Sequence, residues 1–334
     1  RDGGAFDDKQ VVVGLARALP QLFMLKQLLL DELSDTALCV LGKALPQLSS
    51  LTELKLFGST AMQPAGALAL ASGLQQCTSL ESIFVTPSME TDALRAISKS
   101  LGTLPKLMSV EISSDEIDKR GIGDTGWPSC LGSFIGSSSL VQLGIRSRLP
   151  DIAGPALLGL LGQQPLFTSL HLTHCDLHRD NLMKLCKAIG SLSQLEELSI
   201  IDSCADSACI AALATSLRDC ASLDQLNVDE NVSGNGGAQA IAAVIPNLGC
   251  LESLSVRGCE IEEGGMVALL KAVPSCKRLT RIDLSNNHGG DVAARVLLED
   301  VLPSCEGRRA MEDVDFSLNG ISDAMRSRLS AYAD

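Results

Sequence analysis

Aromatic residues are scarce in this chain: one Trp, one Tyr and seven Phe make up 3% of its 334 residues. A core of this size must therefore be filled by Leu, Ala, Val and Ile. Cations are also in deficit, with 27 Lys plus Arg against 40 Asp plus Glu and a formal charge of −13. That balance argues against phosphate-backbone binding, which needs clustered cations, and against docking on anionic membranes. No uninterrupted apolar run reaches the ~18 residues of a transmembrane helix. The sequence contains no C-x-x-C, no G-x-x-x-x-G-K-[S/T], no H-E-x-x-H and no G-x-S-x-G. The common signatures of zinc ribbons, P-loops, zinc proteases and serine hydrolases are thus missing. A mean hydropathy of +0.22 with 20% charged residues excludes global disorder. The segment Arg1–Asp8 is polar and acidic, unlike a signal peptide, and a first residue that is not Met makes a piece of a longer chain the expectation.

What is present is a repeat. A short apolar pattern, L-x-x-L-x-L, begins at positions 25, 51, 80, 107, 140, 167, 195, 223, 251, 279 and 311. The steps are 26, 29, 27, 33, 27, 28, 28, 28, 28 and 32 residues. Alternation over six residues predicts a strand with its first, fourth and sixth side chains inward. Each strand is followed by apolar residues at three- and four-residue steps, as in Leu185 and Ile189 or Leu269 and Val273, which predicts a one-sided helix. Pro64, Pro128 and Pro155 fall near helix starts, where a missing N–H matters least. One strand and one helix cannot bury the apolar strand face alone; stacked copies can. The expected architecture is α/β: a solenoid, or horseshoe, of about eleven strand–helix units, with a parallel sheet on the concave face and helices on the convex face. Residues 1–24 are expected to form a capping helix or partial repeat, 25–320 the repeats, and 321–334 a capping helix with Met325, Leu329 and Tyr332 inward.

Eight residues past each anchor stands a small polar residue: Cys175, Ser203, Asn231, Cys259, Asn287 and Asn319 in the C-terminal half. Such a residue can bond the turn backbone from inside the stack. The N-terminal half has Leu33, Ser59, Ser88, Asp115 and Arg148, a poorer set that predicts looser turns. The twelve cysteines are spread singly. Cys77, Cys220 and Cys276 share one register three residues before an anchor, so they read as reduced, buried packing residues of a cytoplasmic protein.

With the 28-residue step, a full helix per unit, and runs such as Leu279–Asn287 and Leu251–Cys259, the chain resembles the leucine-rich repeats of the ribonuclease-inhibitor-like subclass. The segment Glu263–Asn287 is most similar to the C-terminal repeats of NLR-type innate immune receptors. The resemblance implies a non-catalytic protein-binding or ligand-sensing module of the cytoplasm. Ran GTPase activators and ribonuclease inhibitors are the alternative functions within the same subclass.

A partner is expected on the concave face, where the odd positions of each strand point. The candidate contact residues are Leu29, Lys55, Phe57, Phe84, Glu111, Arg146, His171, His174, Ile201, Asp229, Arg257, Asp283 and Asp315. Leu29, Phe57 and Phe84 place large apolar groups where packing does not require them, beside Arg146, a usual composition of interface anchors. Charge is uneven, at −3 over residues 1–167 and −10 over 168–334, so a basic partner is expected to be steered to the C-terminal half.

Other motifs weigh less. Gly121, Gly123 and Gly126 match G-x-G-x-x-G, but too far past the strand end for a dinucleotide site. His171, His174 and His178 surround Cys175, yet strand geometry separates them, so no metal is expected. Asn231–Ser233 is a glycosylation triplet at a buried turn position. The 113–126 insert is a candidate edge loop, and no cofactor, nucleic acid, membrane or enzymatic activity is expected.

Overall fold

The computed structural model describes residues 8–58, 61–87, 89–113, 126–304 and 311–333. The chain divides into two compact units, Arg1–Gln164 and Pro165–Asp334. The first unit runs α1 (Asp8–Ala18), β1 (Gln27–Leu30), α2 (Asp35–Ala44), β2 (Glu53–Leu56), α3 (Pro64–Leu74), β3 (Ser82–Val85), α4 (Thr91–Leu101), β4 (Ser109–Ser113), α5 (Gly126–Phe134), β5 (Gln142–Pro150) and α6 (Gly154–Gln163). Strands β1 to β5 pair in parallel in chain order, with Leu28, Leu54, Ile83, Val110 and Leu143 in one row.

The second unit runs β6 (Ser169–Asp176), α7 (Arg179–Ala188), β7 (Glu197–Ile201), α8 (Ser207–Ser216), β8 (Gln225–Asn227), α9 (Gly234–Val244), β9 (Ser253–Ser255), α10 (Glu263–Ala272), β10 (Arg281–Asp283), α11 (Gly290–Val296), α12 (Leu302–Ser304), β11 (Asp313–Asp315) and α13 (Asp323–Ala333). Strands β6 to β11 are again parallel and in order, with Leu170, Leu198, Leu226, Leu254, Ile282 and Val314 in one row. In each unit the helices bury one face of the sheet and leave the other open. The strand–helix repeat expected from the sequence is therefore present in both units.

Local chemistry sets the element limits. Ser34 caps α2 by accepting the Ala37 N–H at 3.2 Å, and Asp206 caps α8 by accepting the Cys209 N–H at 2.9 Å. Pro64 is the first residue of α3 and Pro155 the second of α6. Helices α2 and α3 touch backbone to backbone: a Cβ on Gly42 would lie 2.2 Å from the Ala69 carbonyl oxygen, and one on Gly73 would lie 2.1 Å from that of Gly42. Strand positions one, four and six are buried in the interior units, as Leu51, Leu54 and Leu56 show. The terminal copies are less well buried: Leu25, Leu28 and Leu30 are only half-buried, as are Met311 and Val314. In α13, Met325 is buried and Leu329 half-buried, while the Tyr332 side chain lies outside the described residues.

The turn position behaves as a ladder in the second unit. Cys175, Ser203, Asn231, Cys259, Asn287 and Asn319 are all buried. Asn231 Oδ1 accepts the N–H groups of Ser203 (3.1 Å) and Ala205 (3.0 Å), and its Nδ2 donates to the carbonyls of Ile200 (2.8 Å) and Val228 (2.8 Å). Asn287 repeats the pattern two copies on, accepting from Cys259 and Ile261 and donating to Val256 and Leu284. The residue just before this position carries a positive φ in every copy of the unit: His174, Asp202, Glu230, Gly258, Asn286 and Leu318.

In the first unit, Ser59, Ser88 and Asp115 fall outside the described residues. At Arg148, one of the positions where a looser turn was expected, β5 continues through to Pro150. Among the described cysteines, Cys77, Cys220 and Cys276 are buried as their register predicted, whereas Cys204 is exposed at a positive φ. Burial pushes the thiols of Cys130, Cys175 and Cys186 up to about 12.

Candidate partner-binding face

Odd strand positions face away from the helices, so the open face is written by the third, fifth and seventh residues of each copy. In the first unit the fifth-position row is Leu29, Lys55, Phe84, Glu111 and Gly144. Leu29 is 63% exposed. Phe57 and Phe84 are half-buried because they lean on one another, with ring centroids 5.1 Å apart and planes tilted by 42°. Lys55 pairs with Glu53 at 2.6 Å, and Arg146 pairs with Glu111 at 2.6 Å. A cleft of about 300 Å³ opens between Glu53, Lys55, Phe57, Ser82, Phe84, Ser109 and Glu111. Of the candidate residues, Lys55, Phe57, Phe84 and Glu111 are thus brought together, Arg146 reaches this group through Glu111, and Leu29 lies one strand beyond Lys55 in the same row.

In the second unit the face is polar. The His171 ring bonds the Ser199 hydroxyl at 3.0 Å through Nδ1, and the Ser169 hydroxyl (2.8 Å) and Glu197 (3.2 Å) through Nε2. His174 pairs with Asp202 at 2.7 Å. Cys175 is buried, and His178 sits at the N-cap of α7, past the end of β6. Among the described residues no group of three or more His, Cys, Asp or Glu is placed to hold a metal ion. Ile201 is half-buried at the end of β7.

Asp229 accepts the Ser255 hydroxyl at 2.5 Å and the Arg257 N–H at 2.8 Å. Its carboxyl is held above the usual range, chiefly by burial. Arg257 pairs with Glu230 at 3.6 Å. Asp283 accepts from Ser285 at 2.6 Å, and Asp315 from the Ser317 N–H at 2.8 Å. A second cleft, of about 320 Å³, lies between Ser253, Ser255, Arg281, Asp283, Asp313 and Asp315. Near the strand starts, burial and then the charges of Glu197, Glu196 and Glu252 hold the Asp224 carboxyl above the usual range.

No family model matches the chain, and no curated protein matches it. Solved structures do. A chain from the yeast Rad7–Elc1 complex aligns with a TM-score of 0.50 at 18% identity, over 96% of this chain and 86% of its own. A protein of Bacteroides fragilis aligns with a TM-score of 0.50 at 15% identity, over 72% of this chain and 67% of its own. The fold is a leucine-rich-repeat α/β solenoid.

Within that leucine-rich-repeat framework, the fifth and seventh positions account for every candidate residue except His174, which stands one place further on in the turn. The third position supplies what those columns missed: Glu53, Ser82 and Ser109 in the first unit, and Ser169, Glu197, Arg281 and Asp313 in the second. The signal was available, since the third residue shares a face with the fifth in any strand. Gly121 and Gly123 of the G-x-G-x-x-G run, with residues 114–125 of the insert, lie outside the described residues; Gly126 and Trp127, just after them, are buried at the start of α5. No helix among the described residues is long and apolar enough to cross a membrane.

Proposed function

We propose that this chain is a non-catalytic protein-recognition module whose open strand face receives the partner. The observation that carries the reading is the Phe57–Phe84 pair, with the exposed Leu29 further along the same face, on a side of the sheet turned away from the helices. In yeast, a chain of similar fold belongs to the Rad7–Elc1 complex of two proteins, which is in keeping with such a role. Within this class we place the chain as the sensing region of an NLR-like innate immune receptor in the cytoplasm. That placement is supported by the likeness of Glu263–Asn287 to NLR repeats and, for the compartment, by the free buried thiols.

A second reading has its own support. The open face of the second unit carries Glu197, Asp229, Asp283, Asp313 and Asp315, which would steer a basic protein there, as a ribonuclease inhibitor does with its target. A Ran-type GTPase activator remains the third member of the set, favoured only by the repeat count and the acidic end.

The test is affinity capture from source-cell lysate with two baits, the native chain and a variant carrying Phe57→Asp, Phe84→Asp and Arg146→Glu, both checked for folding by circular dichroism. A partner kept by the native bait and lost by the variant supports recognition through the first unit's face. Equal capture by both removes that face from the contact.

A further inference from the structure

We propose that the cleft across β2, β3 and β4 takes one amphipathic aromatic side chain, a tyrosine or tryptophan, presented by the protein partner. The proposal rests on reading the open face as a recognition surface and adds the chemistry of what that surface holds.

The cleft exists because two long side chains leave it. Lys55, Phe84, Glu111 and Gly144 stand side by side in register. In a regular ladder, Lys55 and Glu111 would lie over Phe84 from either side. Instead Lys55 turns along its own strand to Glu53. Glu111 leans the other way, into the space that Gly144 leaves: a Cβ there would stand 2.7 Å from Glu111 Cγ. That lean carries its Oε1 to within 2.6 Å of Arg146 Nε. The short side chains of Ser82 and Ser109 complete the hollow.

What remains has a defined chemistry. One wall is the tilted Phe57–Phe84 pair. The Ser82 and Ser109 hydroxyls have no hydrogen-bond partner among the described residues. The carboxylates of Glu53 and Glu111 are each already neutralised by a cation. At about 300 Å³ the cleft stands at the floor of the roughly 300–1,000 Å³ range of small-molecule pockets, so it suits a single side chain.

Charge complementarity narrows the occupant. A lysine or arginine would enter beside Lys55 and Arg146, with no uncompensated carboxylate to meet it. An acidic side chain would likewise find no uncompensated cation, because Lys55 and Arg146 are already paired with Glu53 and Glu111. A purely aliphatic one would desolvate the two hydroxyls without bonding them. A tyrosine or tryptophan satisfies both halves, with its ring edge or face on the phenylalanines and its O–H or N–H bonded to a serine hydroxyl or a glutamate.

The experiment is a saturation-transfer NMR titration of the full chain with four probes: N-acetyl-tyrosinamide, N-acetyl-tryptophanamide, N-acetyl-leucinamide and N-acetyl-argininamide. The two aromatic probes should bind with dissociation constants on the order of 1 mM, as small ligands of this size do, and at least about tenfold more tightly than the other two. Phe84→Ala should remove the wall. Gly144→Ala should push the flexible Glu111 back over Phe84. Each should weaken the aromatic probes about tenfold, with the circular dichroism spectrum unchanged. The proposal is overturned if argininamide or leucinamide binds as tightly as the aromatic probes, if no probe binds up to about 20 mM, or if aromatic binding survives Phe84→Ala. A partner lost on Phe57→Asp from a chain that binds no aromatic probe would leave the recognition face standing and remove this occupant. Aromatic binding with partner capture indifferent to Phe57→Asp would keep the cleft's chemistry and remove the face as the partner's seat.

Discussion

Replacing Asn231 by Ala should be among the most damaging single changes available in this chain. Its side chain is fully buried and serves two copies of the repeat at once. The Ser203 and Ala205 N–H groups lose their acceptor, and the Ile200 and Val228 carbonyls lose a donor. Ser203 and Ala205 are themselves fully buried, so water cannot replace the lost partner. Each stranded N–H costs about 1–3 kcal/mol, giving roughly 2–6 kcal/mol from the two donors alone, with the carbonyls adding less because each has a second lone pair. Against a typical total of about 5–15 kcal/mol, that is a large share. In a repeat array the loss falls mainly on the interface between neighbouring copies. Urea denaturation of Asn231→Ala should therefore show either a midpoint lowered by the equivalent of about 4 kcal/mol or a broadened transition with an early step. Hydrogen exchange should accelerate at Ser203 and Ala205 before it does elsewhere. Asn231→Cys should cost less, because Cys259 fills the equivalent place one copy later and its thiol reaches the Val228 carbonyl at 3.2 Å. A cost under about 1 kcal/mol for the alanine variant, with unchanged exchange at the two amides, would refute the ladder as a source of stability.

Leu318 is 76% exposed at φ +53, so Leu318→Gly should raise stability by about 0.5–1 kcal/mol in chemical denaturation. Two carboxylates should show opposite pH signs. Asp206 is held below the usual range, first by the Cys209 N–H and then by Arg179, so the folded chain binds fewer protons there. Its contribution is present above the ordinary carboxylate range and is lost as pH falls, and Asp206→Ala should remove it along with about 1 kcal/mol of capping. Asp229 is held above that range, so the folded chain keeps a proton that the unfolded chain has released. Its contribution therefore declines as pH rises through the ordinary range towards the folded value, and Asp229→Asn should flatten that decline when stability is followed by denaturation between about pH 3.5 and 6. Among the described cysteines, Cys204 should react first with iodoacetamide in the native state. The buried thiols, raised to about 11 at Cys77 and about 12 at Cys175, should react only on unfolding, as mass spectrometry of labelled peptides can show.

The stack was readable because it is written in residues that packing and backbone satisfaction demand. Leu, Ile and Val at the first, fourth and sixth positions have one physical use, and a buried Asn in a turn has few others. The site was readable only in part. The columns named Phe57, Phe84 and Glu111 correctly as face residues, since alternation alone decides that. They could not tell that Glu111 would lie down over Gly144, or that Lys55 would fold back on Glu53, because those choices depend on rotamers of neighbouring strands. The cleft is a property of four adjacent side chains together. Likewise, β5 runs on through Arg148 where a turn was expected, because nothing like Asn or Cys stands there to close the turn.

The division of labour within each copy has a consequence for how this protein can be tested. Stability resides in the helix layer, the inward strand positions and the turn ladder. The open face carries residues whose charges are paired locally and whose exposed apolar groups add little to the core. Substitutions at Phe57, Phe84, Gly144 or Arg146 should therefore change binding while leaving the denaturation midpoint within the roughly 0.5–1.5 kcal/mol that loss of one half-buried ring contact costs. Substitutions at Asn231 or Asn287 should do the reverse. If face variants instead unfolded the chain as readily as ladder variants, the open face would have a folding role, and its phenylalanines would no longer point to a partner.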